Sequence, residues 1–390
     1  MIVAATCEDL AAEPRVAITP ETAKKLAGLG ATVKVEAGAG SASGIPDREY
    51  EAAGATIAKT AGETLSTADV VLKVRRPSPA ELAQMKKGAL VIATMDPYGH
   101  EDALRAMAQA GVAAFAMELM PRITRAQVMD VLSSQANLAG YRAVIDAAAE
   151  YGRALPMMMT AAGTVPAARI FIMGAGVAGL QAVATARRLG AIVTATDVRP
   201  AAKEQVESLG AKFIAVEDEE FKQAETAGGY AKEMSAAYKA KQAELVAAHI
   251  AKQDIVVATA LIPGRPAPRL VSSAMVASMR PGSVIIDLAV ERGGNVEGAK
   301  FGETVVTGNG VKIVGHANVP GRIAASSSAL YARNLFAFVE TLVDKASKSL
   351  AVKWDDELVK ATLLTRDGAI VHQSFKPKAA ETAAETTGDA

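Results

Sequence analysis

Short apolar runs alternate with helical patterns along the N-terminal part of the chain. Ile2–Ala5, Thr32–Val35, Val70–Val74, Leu90–Thr94 and Val112–Met117 read as strands. Between them, Thr19-Pro20-Glu21 supplies an N-cap, a proline in the first helical position and a first-turn acid, and Gly30 ends that helix. Such alternation predicts a mostly parallel sheet with helices on both faces. A long helical pattern then runs from about Thr124 to Tyr151. Val131, Leu132, Leu138, Val144 and Ile145 recur in it at helical spacing and no proline interrupts it. A helix of that length reads as a bridge between two domains.

Past the proline-bounded stretch Leu155–Val165, a second series starts at Ile170. It continues through Ile192–Thr196, Phe213–Val216, Ile255–Ala258 and Val284–Asp287. Ser326–Lys345 reads as a helix leading back to the first domain. Leu363–Val371 reads as a hairpin turning on Asp367-Gly368. Lys376–Ala390 has no apolar periodicity and is expected to be a disordered tail.

Composition narrows the function classes. The length of 390 residues suggests two domains, or at most three; half of the residues are hydrophobic and 22% are charged, an ordinary globular balance. Lys plus Arg and Asp plus Glu both total 42, which argues against nucleic acid as a principal partner. Aromatics at 4% leave few stacking platforms for bases. Cys7, the single cysteine, excludes an internal disulfide, fits a reducing compartment and reads as a small core residue ending the first strand. The start of the chain lacks a basic signal-peptide region, and no apolar run approaches the ~20 residues that span a bilayer, so a soluble protein is expected.

The sharpest chemical signal is Arg169-Ile170-Phe171-Ile172-Met173-Gly174-Ala175-Gly176-Val177-Ala178-Gly179, a buried strand running into G-x-G-x-x-G ahead of a helix. Gly174 permits the tight turn, Gly176 lets backbone approach a pyrophosphate, and Gly179 allows close helix–strand packing. Asp197 ends the next strand, placed to accept hydrogen bonds from an adenosine ribose, which favours NAD over NADP. Arg199, two residues on, leaves a 2′-phosphate conceivable from the pattern alone. The other reading, a structural glycine turn with a solvated Asp197, ignores the agreement of strand, helix and acid.

Longer motifs carry a resemblance. Met117–Asp130 (MELMPRITRAQVMD), Ser133–Arg142 (SSQANLAGYR), Pro156–Thr164 (PMMMTAAGT), Ala224–Tyr230 (AETAGGY), Ala260–Gly264 (ALIPG) and Gly315–Pro320 (GHANVP) closely resemble the NAD(H)-binding domain I of proton-translocating transhydrogenases. The resemblance spans nearly the whole chain except the tail. It implies that Arg122, Gln127, Asp130 and Ser133 gather round the nicotinamide and its ribose. Gln127, Asp130 and Ser133 follow one another at i+3 spacing, which would put them on one side of a helix. Their groups offer donors and acceptors for a carboxamide and sugar hydroxyls. Spacing alone fits equally a Thr124–Gln127 capping box and a structural Arg122–Asp130 pair.

The resemblance further implies a flap through Gly228-Gly229-Tyr230 that closes over the cofactor, with Tyr230 at the nucleotide and Gln242 near the adenosine end. A long surface helix broken by glycines fits that stretch equally well from sequence. Gly174, Gly176, Val177, Gly179, Asp197, Val198, Arg199, Gly229, Gln242 and Leu261 are the expected cofactor contacts.

The same architecture resembles alanine dehydrogenase, in which a lysine and a histidine serve substrate binding and proton transfer. Here Leu72-Lys73-Val74 runs into Arg75, and the later strand into Met95-Asp96-Pro97. Arginine does not shuttle protons near neutral pH. His100, His249, His316 and His372 stand apart without metal-ligand spacing, so no metal is expected. Asp287 and Glu291 could form a carboxylate pair, but Asp287 reads as a strand end.

The expectation is therefore an α/β chain of two doubly wound Rossmann-like domains with a cleft between them. Residues 1–130 with 325–375 form the first, 131–324 form the NAD(H) domain, and 376–390 the tail. The resemblance implies hydride exchange with NADP(H) held on a separate, membrane-spanning partner assembly that translocates protons. It also implies a homodimer and a cytoplasmic position peripheral to the inner membrane.

Overall fold

The computed structural model describes residues 1–223, 234–262 and 264–376. The chain divides into two compact α/β units, Met1–Val131 with the segment from Ser328 onward, and Leu132–Ser327.

In the first unit, strands β1 (Ile2–Ala5), β2 (Thr32–Glu36), β3 (Thr56–Ala58), β4 (Val70–Arg75), β5 (Leu90–Thr94) and β6 (Ala113–Ala116) pair in parallel. The second unit holds an exposed hairpin, β7 (Met158–Thr160) and β8 (Gly163–Val165). Its main sheet is made of β9 (Arg169–Met173), β10 (Ile192–Thr196), β11 (Lys212–Phe213), β12 (Ile255–Ala258), β13 (Val284–Asp287), β14 (Thr304–Val306) and β15 (Lys312–Val314). The chain then returns to the first unit through the helix Ala324–Thr341. There it adds the short ladder β16 (Val343–Asp344) and β17 (Ser349–Leu350), followed by β18 (Leu363–Arg366) and β19 (Ala369–Ile370).

Both main sheets share one winding order. The first runs β3-β2-β1-β4-β5-β6-β18-β19 and the second β11-β10-β9-β12-β13-β15-β14. In each, the first and fourth parallel strands lie side by side, so the crossovers leave in opposite directions from that junction. Ligands of doubly wound sheets bind beyond the carboxyl ends of the strands at such a point.

Strand residues alternate between two covered faces. Ile170 and Ile172 enter one apolar cluster while Phe171 and Met173 enter another; Leu72 and Val71 divide likewise in the first unit. Burial on both faces is why these strands read as unbroken apolar runs. Thr19 caps its helix as expected, with Pro20 behind it and Gly30 at φ +87° beyond its end. The hairpin turn holds Asp367 and Gly368 both at positive φ, the backbone a tight two-residue turn requires.

One expected element is corrected. The helix begins at Val131, not near Thr124, and runs to Glu150. Thr124–Met129 is a 3-10 segment, and Asp130 at ψ +90° separates the two. The i+3 spacing of Gln127, Asp130 and Ser133 therefore does not place them on one helical face. Ile123 precedes the 3-10 turn without a side-chain cap, so the Thr124–Gln127 capping box is absent as well.

Candidate functional site

The fingerprint loop sits at the junction of β9 with its two neighbours, at the carboxyl end of the second sheet. Gly174 has φ +104°, a conformation that favours glycine. A Cβ on Gly179 would run into the carbonyl oxygen of Gly174, so only glycine lets the helix Val177–Arg188 start this close to the strand. At Gly176 an added Cβ would meet nothing within 4 Å. The space over Gly176 is open, and the helix N-terminus behind it directs backbone N–H groups outward. That combination suits a phosphate. From the other side, Thr259 Oγ1 donates to the Gly174 carbonyl at 3.0 Å and holds the turn.

Asp197, just past β10, presents a carboxylate only 8% exposed. Its Oδ2 accepts from the Ala175 backbone N–H at 2.7 Å, tying the strand end to the glycine loop. Arg199 lies across the same carboxylate, Nε to Oδ1 at 2.9 Å and Nη2 to Oδ2 at 3.1 Å, with Nη2 also donating to Ala175 O at 3.3 Å. Gln242 is drawn to the same edge. It donates to Thr196 Oγ1 at 3.2 Å and accepts from Val216 N–H at 2.9 Å, bridging the ends of β10 and β11. Val177, Val198 and Leu261 are exposed apolar side chains on this unit, as is Ile262.

The structure thus gathers Gly174, Gly176, Val177, Gly179, Asp197, Val198, Arg199 and Gln242 round one loop. Gly229 and Tyr230 lie outside the described residues. Arg122, Gln127 and Asp130 belong to the first unit and Ser133 to the second, within one continuous stretch of chain. Arg122 and Gln127 are exposed. The segment between them and the helix is pinned within the first unit. Arg125 makes a bidentate pair with Asp356, both contacts 2.9 Å, and Asn334 Nδ2 donates to Val128 O at 2.8 Å.

Two residues that sequence reasoning passed over hold the loop beyond β12. Asn295, fully buried, donates to the carbonyls of Ala260 and Pro268 and accepts from Ala260 N–H. Thr259 clamps Gly174 as described. Nothing in their sequence context marks them, because their partners are backbone atoms distant in sequence. Asp287, fully buried, accepts from Ala289 and Val296 N–H groups at 2.9 Å each; burial pushes its carboxyl above the usual range. Glu291 accepts from Asn318 N–H. These two carboxylates therefore hold separate turns and form no pair with each other.

The corresponding edge of the first sheet is closed by ion pairs. Lys73, 2% exposed, contacts Glu81 at 2.7 Å, Glu8 at 3.3 Å and Thr6 Oγ1 at 3.0 Å. Glu13 holds both Arg15 and Arg75, at 2.7 and 2.8 Å. Asp96 stands at φ +47°, its N–H donated to Glu118. The Cys7 thiol is half-buried against Ala37 O, and burial pushes it up to about 11. Among the described residues there is no cluster of metal-ligating side chains, and no helix is long and apolar enough to cross a membrane.

Comparison with known proteins agrees with this fold. Residues 4–139 match the family model for the N-terminal domain of alanine dehydrogenase/PNT, and residues 143–373 the model for its C-terminal domain. The first part of NAD(P) transhydrogenase subunit alpha from Rhodospirillum rubrum is 58% identical over 93% of this chain and 96% of its own. A crystal structure of transhydrogenase from Sinorhizobium meliloti superposes with TM-score 0.87 at 65% identity, covering 95% of this chain and 99% of that one. An L-alanine dehydrogenase structure superposes with TM-score 0.80 at 25% identity, covering 96% and 98%. The chain belongs to the alanine dehydrogenase/PNT family, in its NAD(P) transhydrogenase alpha-subunit branch.

Proposed function

We propose that this chain is the NAD(H)-binding component of a Re/Si-specific, proton-translocating transhydrogenase, exchanging hydride with NADP(H) held on a partner subunit. The observation that carries the reading is the fingerprint loop with Asp197 hydrogen-bonded to Ala175. Gly174, Gly176 and Gly179 would cradle the pyrophosphate, Asp197 would take the adenosine ribose, and Val177, Val198 and Leu261 would offer apolar surface to the rest of the nucleotide. When bound, the nicotinamide supplies the hydride chemistry. The chain's part is to bind, orient and exclude water.

We assign Arg122, Gln127, Asp130 and Ser133 to orientation of the nicotinamide end. The clamps from Arg125 to Asp356 and from Asn334 to Val128 support this for Arg122 and Gln127, because they fix the backbone that carries these two exposed side chains. Gly229 and Tyr230, which the resemblance implies as nucleotide contacts, lie outside the described residues. No general acid or base is needed for hydride exchange between two nicotinamides. That need separates this chemistry from an amino-acid dehydrogenase. There, Lys73 would have to leave two carboxylates, Arg75 would replace the lysine, and Asp96 stands where a histidine is required.

The remaining assignments follow from the same reading: a homodimer, joined to membrane-spanning subunits that carry the proton path and docked on the cytoplasmic side of the inner membrane. The test uses the purified chain with NADH, with and without an NADP(H)-loaded partner domain, and a control with pyruvate and ammonia. Hydride transfer that requires the partner supports the proposal. Oxidation of NADH by pyruvate and ammonia without it would overturn the proposal. Gln127→Asn is expected to lower transfer at least tenfold while NADH affinity holds within threefold; equal losses in both would place Gln127 outside the nicotinamide site.

A further inference from the structure

Asn295 is fully buried, and the three hydrogen bonds of its side chain all go to one neighbouring loop. Its Nδ2 donates to Ala260 O at 2.9 Å and to Pro268 O at 2.8 Å, and its Oδ1 accepts from Ala260 N–H at 3.0 Å. Those partners stand at the two ends of the loop after β12, where Leu261 and Ile262 expose apolar side chains. A carboxamide meets this demand. A carboxylate has no donor for the two carbonyls, and a hydroxyl has one. The turn that carries Asn295 is built to aim it. Gly293 and Gly294 stand at φ +93° and +77°, and a Cβ on Gly294 would lie 2.7 Å from Asp287 Oδ2. Asp287 itself accepts from Ala289 N–H and Val296 N–H, one on each side of those glycines. On the far side, Ala260 follows Thr259, whose Oγ1 donates to the Gly174 carbonyl. One buried amide thus ties the turn after β13 to the loop after β12, next to the glycine turn.

We infer that Asn295 is a positioning residue for NAD(H): from inside the fold, its amide fixes Ala260 and Pro268 and so presents Leu261 and Ile262 to the nucleotide before it arrives. The inference rests on the NAD(H) reading above and deepens it. The loop leaves the sheet from β12, the strand paired with β9, whose end carries the fingerprint. An unstapled loop would have to lose its freedom when the nucleotide binds, and that ordering is subtracted from affinity. A loop stapled at both ends has lost it already on folding. Asn295→Asp keeps the size of the side chain and reverses its chemistry, because carboxylate oxygens would face the two carbonyl oxygens and repel them. Asn309 supplies an internal comparison. Its Nδ2 donates to the carbonyls of Val276, Ala277 and Met279, but it precedes β15, at the amino edge of the same sheet, opposite the glycine loop.

Titration calorimetry and melting curves on the full chain test this with Asn295→Asp, Asn295→Ser and Asn309→Asp. Both Asn295 variants are expected to bind NADH at least tenfold more weakly, at a temperature where each is folded. Asn309→Asp should lower the melting temperature and leave NADH affinity within twofold, which is the signature of an amide that is merely structural. A Leu261→Ser/Ile262→Ser chain should lose affinity too. Adding Asn295→Ser to it should cost less than threefold more, because the amide acts through that loop. Hydrogen exchange on the native chain reads the staple without any substitution. The amides of Ala260, Leu270 and Val271 all donate to Asn295, so the peptides that carry them are expected to resist exchange before NADH is added. Protection that appears only with NADH overturns the proposal. So does native-like NADH affinity in a folded Asn295 variant, or a fully additive loss in the combined one. If the native chain binds no NADH, the cofactor reading itself fails; if it binds NADH and these losses are missing, this inference alone fails.

Discussion

His249 lies half-buried with its Nε2 2.8 Å from Thr194 Oγ1 and its ring edge-on to Phe171. Burial, reinforced by Lys252, Lys212 and Arg169, holds its pKa below the usual 6.5. A depressed base favours the folded state above its unfolded pKa, and that contribution is lost as pH falls. Stability should therefore decline below pH 6.5, and His249→Gln should flatten that decline in urea midpoints measured from pH 7 to 5. Lys73 presents the opposite case, a buried cation whose two carboxylates hold its pKa above the usual value. Lys73→Met would strand Glu8 and Glu81 in the interior. A loss of about 3–5 kcal/mol is expected in denaturant unfolding. A loss below 1 kcal/mol would mean that water reaches the cluster. In the sequence, Lys73 stands out only as the charged residue of the otherwise apolar run Val70–Val74. Its burial among carboxylates was not legible, because Glu8 comes from a loop and Glu81 from a short helix, and only the fold makes them converge.

At the scale of elements, Gly140 governs the approach of two helices in the second unit. A Cβ there would run into the carbonyl oxygen of Ala178, inside the fingerprint, while Asn137 Nδ2 donates to Gln181 Oε1 at 3.2 Å across the same crossing. Gly140→Ala is expected to push the start of the helix Val177–Arg188 away from β9. The cost should be about 1–3 kcal/mol in stability and a tenfold or greater loss of NADH affinity. Gly152→Ala, with nothing within 4 Å, is the control that should change neither. The buried strands were legible because two covered faces leave only apolar residues along them. Other elements were not. Met158–Thr160 and Gly163–Val165 are exposed almost throughout, so no alternation marks them, and Thr304–Val306 is a three-residue edge strand with two exposed residues. The 3-10 turn at Thr124–Met129 continued the apolar spacing of the helix after it, so the break at Asp130 left no trace in the pattern. The dinucleotide loop was legible for a physical reason: glycine is needed at Gly174 and Gly179, and any sequence making that turn must show it. The polar residues at Arg122–Ser133 have no such compulsory geometry, and only the resemblance marks them.

At the scale of the whole molecule, the β7–β8 hairpin projects Met157, Met158 and Met159, the last 79% exposed. A lone two-stranded hairpin is marginal in water, and exposed apolar clusters mark association surfaces. In the homodimer proposed above, Met158→Lys with Met159→Lys is expected to shift sedimentation toward the 40.1 kDa monomer without lowering the melting temperature of dilute samples. An unchanged dimer would place the interface elsewhere. The first unit takes β18 and β19 from the far end of the chain, with β18 antiparallel to β6 and Thr365 Oγ1 bonded to Val112 O. This has a consequence during synthesis on the ribosome. Every strand of the second sheet has emerged by Val314, whereas the first sheet keeps the edge of β6 bare until Arg366 is out. The inserted unit can therefore mature first, while the enclosing one waits with an open edge that invites pairing between nascent chains. Chains ending before Leu363 should accumulate as aggregates despite an intact dinucleotide loop.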